Sequence, residues 1–520
     1  MKNKIARMLV AYAAGAVVFV SGCGNSAGTD SQNQTAADTN EQNTVNDGET
    51  SDEASNEGAL ADKGTEAENT EQEDAQDSTE ATTDEVAEDS AEKISEAPDW
   101  TKDAVLYEVN LRQYTESGSF NEFSEHLQEL KDMGINTLWF MPIHPISETN
   151  RSGVLGSYYS VSDYKDVNPE FGNLEDFRAL VNKAHDMGFH VMLDWVANHT
   201  GWDNAWITEH PDWYTQKNGE IISPEGMGWP DVADLNYDNE DMRKEMIDSM
   251  KYWVEEFDID GFRCDYASGV PVDFWEQARE ALDEVKDVYM LEEDLGGAAG
   301  SNLNYAFDSN YNTKLYETLV AVAKDQKKAD KIKLYIPGND NNTFGMNYLD
   351  NHDVNSYDRT INEAFDSAAL PAMYSVAFTL PGIPMVYSGD EIGYDHAIAF
   401  MEKDTIDWDN GTGDYRGLIA DLSAMRKDHE ALQAGNQDEE FEVYANDNKN
   451  ILAFERTQGD DKIVCVYNLS KKEQEVNLSE ILTGDEEVLY SGADGIYQEN
   501  GENPLDSSIL APWSFFIMTR

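Results

Sequence analysis

A long segment near the start of the chain contains no aromatic residue. Between Gly24 and Pro98 there is no Phe, Trp or Tyr, and Glu, Asp, Thr, Asn, Ser and Ala make up most of the segment. Such a composition cannot bury enough apolar surface to offset the entropy lost on ordering. We therefore expect residues 23–98 to form a disordered acidic tether, extended by repulsion between its own charges.

Basic residues are scarce throughout the chain. The 520 residues include 36 Lys and Arg against 103 Asp and Glu, a net charge of −67. In the aromatic-free segment only Lys63 and Lys93 offset 22 acidic residues. A chain this acidic repels phosphate backbones, which argues against nucleic acid as a partner. A neutral ligand fits the charge better.

Cysteine is rare as well, and the first of the three closes an N-terminal signal. Basic residues and then the apolar run Met8–Val20 precede the tetrapeptide VSGC at 20–23. The run is too short for a spanning helix of about 20 residues and has the order of a secretory signal. VSGC resembles the lipobox of bacterial lipoproteins, in which the cysteine is lipidated after cleavage. We expect residues 1–22 to be a lipoprotein signal peptide and Cys23 to anchor the protein to the extracellular face of a bacterial cell membrane. The alternative is an ordinary signal peptide with an incidental cysteine.

Short apolar runs alternate with helical periodicity after Trp100. About eight such units over roughly 300 residues predict a (β/α)8 TIM barrel, although an open doubly wound sheet has the same order of elements. The lack of a Gly-rich phosphate fingerprint weakens the second alternative. The candidate strands are Ala104–Val109, Ile135–Met141, His190–Leu193, Gly261–Asp265, Val288–Glu292, Asn304–Phe307, Met346–Leu349 and Pro384–Tyr387.

Two departures from the alternation divide the chain further. Residues 200–239 are rich in Trp, Pro and Gly and predict a short inserted subdomain after the third strand. From Phe441 the pattern becomes a series of short β-rich pieces. We expect a catalytic barrel at 99–433, including the insert, and a C-terminal β-sandwich domain at 434–520. Cys264 and Cys465 then fall in different domains and are typical of small core residues rather than of a disulfide.

The segment Gly261–Asp265 places an arginine and an aspartate two residues apart in an apolar run. Side chains alternate along a strand, so Arg263 and Asp265 share a face. A neighbouring arginine stabilises the ionised carboxylate and is expected to lower the pKa of Asp265, which suits a nucleophile. Taken alone, the pair also fits a structural ion pair.

Three further clusters of acidic, His and Asn residues close predicted strands: DWVANH at 194–199, YMLEED at 289–294 and YLDNHD at 348–353. In a (β/α)8 barrel the C-terminal ends of the strands form the face at which catalytic residues lie. Each cluster taken singly has a structural alternative, such as a loop cap, a core histidine or a surface ion pair.

Together with GFRCD, these segments resemble conserved regions I to IV of the α-amylase family, glycoside hydrolase family 13. The resemblance extends from Trp100 to the C-terminus. Further similar segments are MGINTLWFMP at 133–142, GSYYSVSDYKDVNPEFG at 156–172, DVADLN at 231–236 and GIPMVYSGDE at 382–391.

The resemblance implies that Asp265 is the nucleophile, Glu293 the general acid/base and Asp353 a third acid that binds sugar hydroxyls. Retaining cleavage needs one ionised carboxylate to attack the anomeric carbon and one protonated carboxyl to donate to the leaving oxygen. Arg263 would keep Asp265 ionised, whereas Glu293 has no such partner in the sequence. The implied substrate-binding residues are Tyr159, which stacks under the sugar, Asp194, which orients Arg263, the two histidines His199 and His352, which bond ring hydroxyls, and Arg263 itself.

Some positions depart from the family pattern. Glu292 and Asp294 flank Glu293, which leaves Glu292 as an alternative donor, although Glu293 aligns with the family's acid. Tyr266 stands where a smaller residue is common, which would narrow the acceptor side. Asn198 matches a family calcium ligand, but the sequence supplies no full ligand set for calcium. We therefore expect no required cofactor and leave the metal open.

The sequence thus predicts an extracellular, membrane-anchored, retaining α-glucan hydrolase. Its expected substrates are starch-type polysaccharides or maltooligosaccharides with α-1,4 bonds, and we expect a monomer. Three alternatives stay open: a 4-α-glucanotransferase, a neopullulanase-like enzyme on the same site, and a non-catalytic glycan-binding lipoprotein.

Overall fold

The computed structural model describes residues 96–293, 305–336, 344–436, 439–492, 496–497 and 508–520. The predicted signal peptide, Cys23 and almost all of the predicted tether lie outside the described residues, as does Asp294. Within the described ranges, no helix is both long and apolar enough to cross a membrane.

Eight strands close into a barrel of parallel neighbours, with the first strand paired to both the second and the eighth. The predicted barrel is confirmed, and the open sheet is excluded by this closure. In chain order the strands are Leu106–Val109, Thr137–Phe140, His190–Val196, Gly261–Asp265, Tyr289–Glu292, Ser309–Tyr311, Phe344–Tyr348 and Ile383–Tyr387.

The sixth strand lies further along the chain than predicted. It is Ser309–Tyr311 rather than Asn304–Phe307, and Ser309 pairs with Leu291 on one side and Phe344 on the other. The strand is short and partly polar, and backbone pairing with both neighbours holds it in the barrel. Apolar runs in a sequence do not indicate a strand of this kind.

The α-helices begin at residues that suit helix starts. Asn173 and Thr360 each form a capping box, with Asp176 and Glu363 as the third residues. The helix before the eighth strand, Ile361–Thr379, is interrupted at Asp366, which has a φ of 55°. The helices are Leu111–Tyr114, Phe120–Phe123, Leu127–Asp132, Leu174–Asp186, Trp206–Glu209, Glu240–Phe257, Val272–Asp283, Thr313–Ala323, Ile361–Thr379 and Arg416–Asp428.

The insert after the third strand is a small subdomain of short elements. Strand His199–Gly201 pairs antiparallel with Val232–Asp234, so the segment leaves and returns at the same point. Between them lie the helix Trp206–Glu209 and a two-residue hairpin pairing Gln216–Lys217 with Glu220–Ile221. The insert is therefore anchored directly after the end of the third barrel strand.

The C-terminal domain consists of two antiparallel sheets. Five strands form one sheet and three the other: Glu440–Val443, Ile451–Gln458, Asp461–Asn468, Phe515–Thr519 and Glu487–Gly492, and then Gln474–Val476, Ser508–Leu510 and Ile496–Tyr497. The larger sheet contacts the barrel helix Ile361–Thr379. The hydroxyl of Tyr467 on this sheet lies 3.0 Å from the hydroxyl of Ser375 and 2.7 Å from that of Thr379. Cys264 and Cys465 are buried free thiols, as predicted.

Candidate active site

Strand register brings the predicted site residues together at the C-terminal mouth of the barrel. Asp194 on the third strand lies opposite Arg263 on the fourth, and Glu293 follows directly after the fifth strand. Side-chain alternation points Arg263 and Asp265 to the same side, where their atoms approach to 3.2 Å. The shared face that the sequence predicts for this pair is confirmed.

Arg263 is fully buried at the centre of the site. Its Nη1 donates to Asp194 Oδ1 at 2.9 Å and to Asp265 Oδ1 at 3.2 Å, and Nε donates to the Tyr311 hydroxyl at 3.1 Å. Its Nη2 lies 2.9 Å from Glu293 Oε2. Glu293 has no cation beside it in the sequence, but the fold supplies one, since the end of the fifth strand brings this carboxylate onto the same guanidinium.

The sequence predicts a lowered pKa for Asp265, but its surroundings raise the pKa instead. Burial raises the pKa of Asp265 well above the usual aspartate range, and Glu293 and Asp194 add to this, while Arg263 opposes it. Of these influences, only Arg263 lies beside Asp265 in the sequence. Three carboxylates share that one guanidinium, so its charge is divided among them.

Asp194 and Tyr159 connect the guanidinium to the rest of the site. Asp194 is buried and accepts hydrogen bonds from the Tyr159 hydroxyl at 3.1 Å and from the indole of Trp139 at 3.2 Å. Burial raises the pKa of Asp194 to about 6, against the influence of Arg263. Arg263 Nη1 also donates to the Tyr159 hydroxyl, at 3.3 Å.

His352 is buried beside Tyr159 after the seventh strand. Its Nε2 lies 2.8 Å from the Tyr159 hydroxyl and 3.5 Å from Asp353 Oδ2, and its Nδ1 lies 2.5 Å from Glu108 Oε1. The Tyr159 ring stacks on the imidazole of His352, and it also lies parallel to the ring of Phe400. An aromatic layer therefore lines one side of the mouth.

His199 begins the inserted subdomain and has a different environment. Burial lowers the pKa of this histidine to about 4, so its ring is neutral at physiological pH. Its Nδ1 is hydrogen-bonded to the Asn198 amide at 3.1 Å, and its ring packs near Trp229. A neutral imidazole has one donor and one acceptor nitrogen and can bond a hydroxyl group.

Asp353 is the most open of the three predicted acids, with a side chain 49% exposed. It lies at the mouth, whereas Asp265 and Glu293 lie deeper. A carboxylate in this position can meet a ligand that enters from solvent.

Tyr266 adopts a left-handed backbone conformation, with φ 42° and ψ 48°. This conformation is costly for a bulky residue, and here it turns the Tyr266 backbone N–H onto Glu293 Oε2 at 2.8 Å. The Tyr266 ring meets Trp229 edge-on at 5.7 Å, and its hydroxyl lies 3.9 Å from the sulfur of Met227. One residue therefore holds Glu293 with its backbone and contacts the insert with its side chain.

Sequence reasoning missed Glu108, on the first strand, and the aromatic residues Trp139, Tyr311 and Phe400. The available signal was a carboxylate near the end of an otherwise apolar strand, because such a residue is buried in the barrel. Asn198 contributes to the site through His199, and no group of three His, Cys, Asp or Glu in the described part of the chain is arranged to hold a metal ion.

Two buried carboxyl groups at the mouth of a (β/α)8 barrel define a site suited to glycoside hydrolysis. A model of the alpha amylase catalytic domain matches residues 75–230 and 226–468, and one of the maltogenic amylase C-terminal domain matches residues 441–517. The chain belongs to the alpha-amylase family and is a glycoside hydrolase of the α-amylase type.

Relatives of known function and structure span most of the chain. Alpha-amylase 3 of Dictyoglomus thermophilum is 27% identical over 491 residues, which cover 81% of this chain and 93% of that protein. A cyclomaltodextrinase of Geobacillus thermopakistaniensis is 25% identical over 432 residues, covering 74% and 71%. The crystal structure of the maltogenic alpha-amylase AmyB from Thermotoga neapolitana has a TM-score of 0.70 at 27% identity and covers 80% of this chain and 98% of its own.

Proposed function

We propose that the protein is a retaining hydrolase that cleaves α-1,4-glucosidic bonds in starch-type polysaccharides or maltooligosaccharides. The observation that carries the proposal is that Asp265 and Glu293 both lie against one buried guanidinium, that of Arg263. Relatives named as alpha-amylases, cyclomaltodextrinases and maltogenic amylases support an α-glucan as the substrate class.

In the first step an oxygen of Asp265 attacks the anomeric carbon, the bond to the leaving oxygen breaks, and Glu293 gives that oxygen its proton. Asp265 and Glu293 must therefore hold one proton between them, which resides on Glu293 when substrate is bound. In the second step water attacks the anomeric carbon, Glu293 takes the water proton, and the ester to Asp265 breaks. Two displacements at one carbon retain its configuration.

The remaining residues bind the sugar in this proposal. Asp353 accepts hydrogen bonds from sugar hydroxyls at the open mouth, His199 bonds a further hydroxyl, and the Tyr159 ring packs against the sugar face. Both ring nitrogens of His352 already face protein partners, Glu108 and the Tyr159 hydroxyl, which leaves none for the sugar hydroxyl that the sequence assigns to it. Asp194 holds Arg263 in place through the 2.9 Å bond.

The test is product analysis with the purified protein on starch, pullulan and maltooligosaccharides. We expect shorter maltooligosaccharides. Because the configuration is retained, NMR should detect them first as α-anomers. Longer oligosaccharides formed from maltotriose would instead indicate a 4-α-glucanotransferase, and panose from pullulan a neopullulanase-like specificity.

Asp265→Asn is expected to abolish turnover and to retain maltoheptaose binding. Binding by the wild-type protein without any cleavage would establish a glycan-binding lipoprotein and refute the hydrolase.

We also propose that the enzyme acts as a monomer on the extracellular face of a bacterial membrane, held by a lipid on Cys23. The support is the VSGC tetrapeptide and the acidic segment behind it, which would space the barrel from the surface. Fractionation of cells that express the full chain tests the anchor. The wild-type protein is expected in the membrane fraction, and Cys23→Ala is expected to leave it.

A further inference from the structure

Glu108 is a buried carboxylate whose contacts do not explain it as a structural residue. It lies on the first barrel strand with 0% of its surface exposed. Oε1 lies 2.5 Å from Nδ1 of His352, and Oε2 has no hydrogen-bond partner among the described residues. Burying an ionised carboxylate is costly unless it is well paired, and here the carboxylate lies against a histidine of the candidate active site.

The hydrogen bonds beyond His352 depend on how many protons its ring carries. Its Nε2 lies 2.8 Å from the Tyr159 hydroxyl, and that hydroxyl also lies 3.1 Å from Asp194 Oδ2. The hydroxyl has one proton and can donate to only one of these two neighbours.

The two proton states of His352 give opposite arrangements. In the imidazolium state, Nδ1–H donates to Glu108 and Nε2–H donates to the Tyr159 oxygen, so the Tyr159 proton is free to bond Asp194. In the neutral state with its proton on Nδ1, Nε2 becomes an acceptor and takes the Tyr159 proton, so Asp194 loses a donor. With Glu108 ionised, only the imidazolium satisfies the hydrogen-bonding groups of His352, Tyr159 and Asp194 together, because a neutral ring with its proton on Nε2 would turn the Nδ1 lone pair toward the carboxylate.

We propose that Glu108 is a positioning residue that holds His352 as an imidazolium, so that Tyr159 donates to Asp194 and Asp194 keeps Arg263 against the nucleophile. The proposal rests on the proposed function, because it assigns Glu108 a part in the same hydrolysis. Glu108 does not touch the reacting atoms and acts on Asp265 through four intervening side chains, those of His352, Tyr159, Asp194 and Arg263.

The charges around His352 agree with this state. Although burial disfavours the charged ring, Asp353 and Glu108 raise the pKa of His352 to about 9, and Arg263 opposes them. The imidazolium is therefore populated below that pH. The titratable and charged groups that face the ring come from its own loop and from four other elements: Asp353 and Asp350 from the loop, and Glu108, Asp194, Arg263 and Tyr159 from elsewhere.

Glu108→Gln tests the proposal, because the amide keeps the shape and can still accept from Nδ1 but removes the charge. The matched control is Glu391→Gln, a buried carboxylate after the eighth strand that bonds Tyr107 and the Gly389 backbone rather than His352. The readout is the wild-type to variant ratio of kcat/KM on a maltooligosaccharide, since titrations common to both proteins divide out of the ratio.

For Glu108→Gln we expect this ratio to be at least about tenfold larger at pH 8 than at pH 5.5, because acid restores the lost imidazolium. For Glu391→Gln the ratio should not depend on pH. A Glu108→Gln ratio that is independent of pH would overturn the proposal.

A second measurement needs neither activity nor a folded variant of Glu108. Side-chain ¹⁵N NMR of the full chain reports whether both ring nitrogens of His352 carry protons, with His352→Gln used to assign the signal. An imidazolium at pH 7.5 is expected, and a neutral ring at that pH would overturn the proposal. If the protein shows the imidazolium but cleaves no glucan, the proposed function fails while the charge state assigned to the pair stands.

Discussion

Arg263 Nη2 lies 2.9 Å from Glu293 Oε2, so the arginine next to the proposed nucleophile also pairs with the proposed proton donor. In the free protein one cation therefore organises both carboxyls. A planar guanidinium can do this because it presents several donors in a fixed geometry.

Arg263→Lys should accordingly lower kcat by about 10²- to 10³-fold, since one ammonium cannot reach Asp194, Asp265 and Glu293 together. The measurement is steady-state kinetics on maltoheptaose, with thermal unfolding to verify the fold. Arg243→Lys is the matched control, because Arg243 pairs with Asp273 outside the site. If Arg263→Lys were as active as the wild type, the pairing of one cation with all three carboxylates would not be needed for catalysis.

Tyr266 is expected to shape the acceptor side. Tyr266→Gly removes the ring that meets Trp229 and Met227, while glycine adopts the left-handed conformation freely and keeps the N–H bond to Glu293. We expect the KM for maltoheptaose to rise about tenfold, in line with the loss of one aromatic contact, and kcat to change little. Tyr266→Phe, which loses only the long contact to sulfur, should behave as wild type. A fall in kcat without a change in KM would place the ring outside the binding path.

His144 predicts acid sensitivity of the fold. It is buried among Tyr164, Trp195 and Trp253, and burial lowers its pKa to about 4. Because the folded pKa lies below the unfolded value, this contribution to stability is present above about pH 6.5 and is lost as the pH falls toward 4. This effect of His144 alone should lower the free energy of unfolding by about 2 kcal/mol as the pH falls from 7 to 5.

The check is urea denaturation of the wild type and of His144→Gln at those two pH values. The variant, which has no titrating ring at this position, should lose less stability on acidification. An identical loss in both proteins would show that His144 does not contribute to the pH dependence.

Arg456 should be important for holding the C-terminal domain on the barrel. It is fully buried, pairs with Glu439 at 2.6 Å and donates to the carbonyls of Thr379 and Gln433 at 3.1 and 2.8 Å. Arg456→Ala deprives a buried carboxylate and several carbonyls of this partner and should cost about 3–5 kcal/mol in unfolding free energy. The exposed pair of Lys471 with Asp366 offers a control, since Lys471→Ala should cost less than about 1 kcal/mol.

The closed barrel and the meeting of the predicted site residues were predictable from strand-like runs that end in acid, His and Asn. These patterns are local, and the fold converts them into one cluster because all parallel strands end at the same face. The sixth strand was misplaced because Ser309 and Asn310 are polar residues held by backbone pairing on both sides. Apolar content indicates burial of side chains and does not register such pairing.

Ionisation and cross-barrel contacts could not be predicted in the same way. The pKa of Asp265 depends on burial and on Glu293, which lies 28 residues further along the chain. Glu108 meets His352 only because the first and seventh strands belong to one barrel, and no spacing in the sequence indicates that contact.

The contact between Glu108 and His352 joins positions 244 residues apart. A ribosome completes the fourth and fifth strands, with Asp265 and Glu293, well before the seventh strand emerges. A partly synthesised chain can therefore carry the proposed nucleophile and proton donor while His352 and Asp353 are still absent. Cleavage should begin only after the last barrel strands are in place, so the order of synthesis itself delays the enzyme's activity until the barrel is complete.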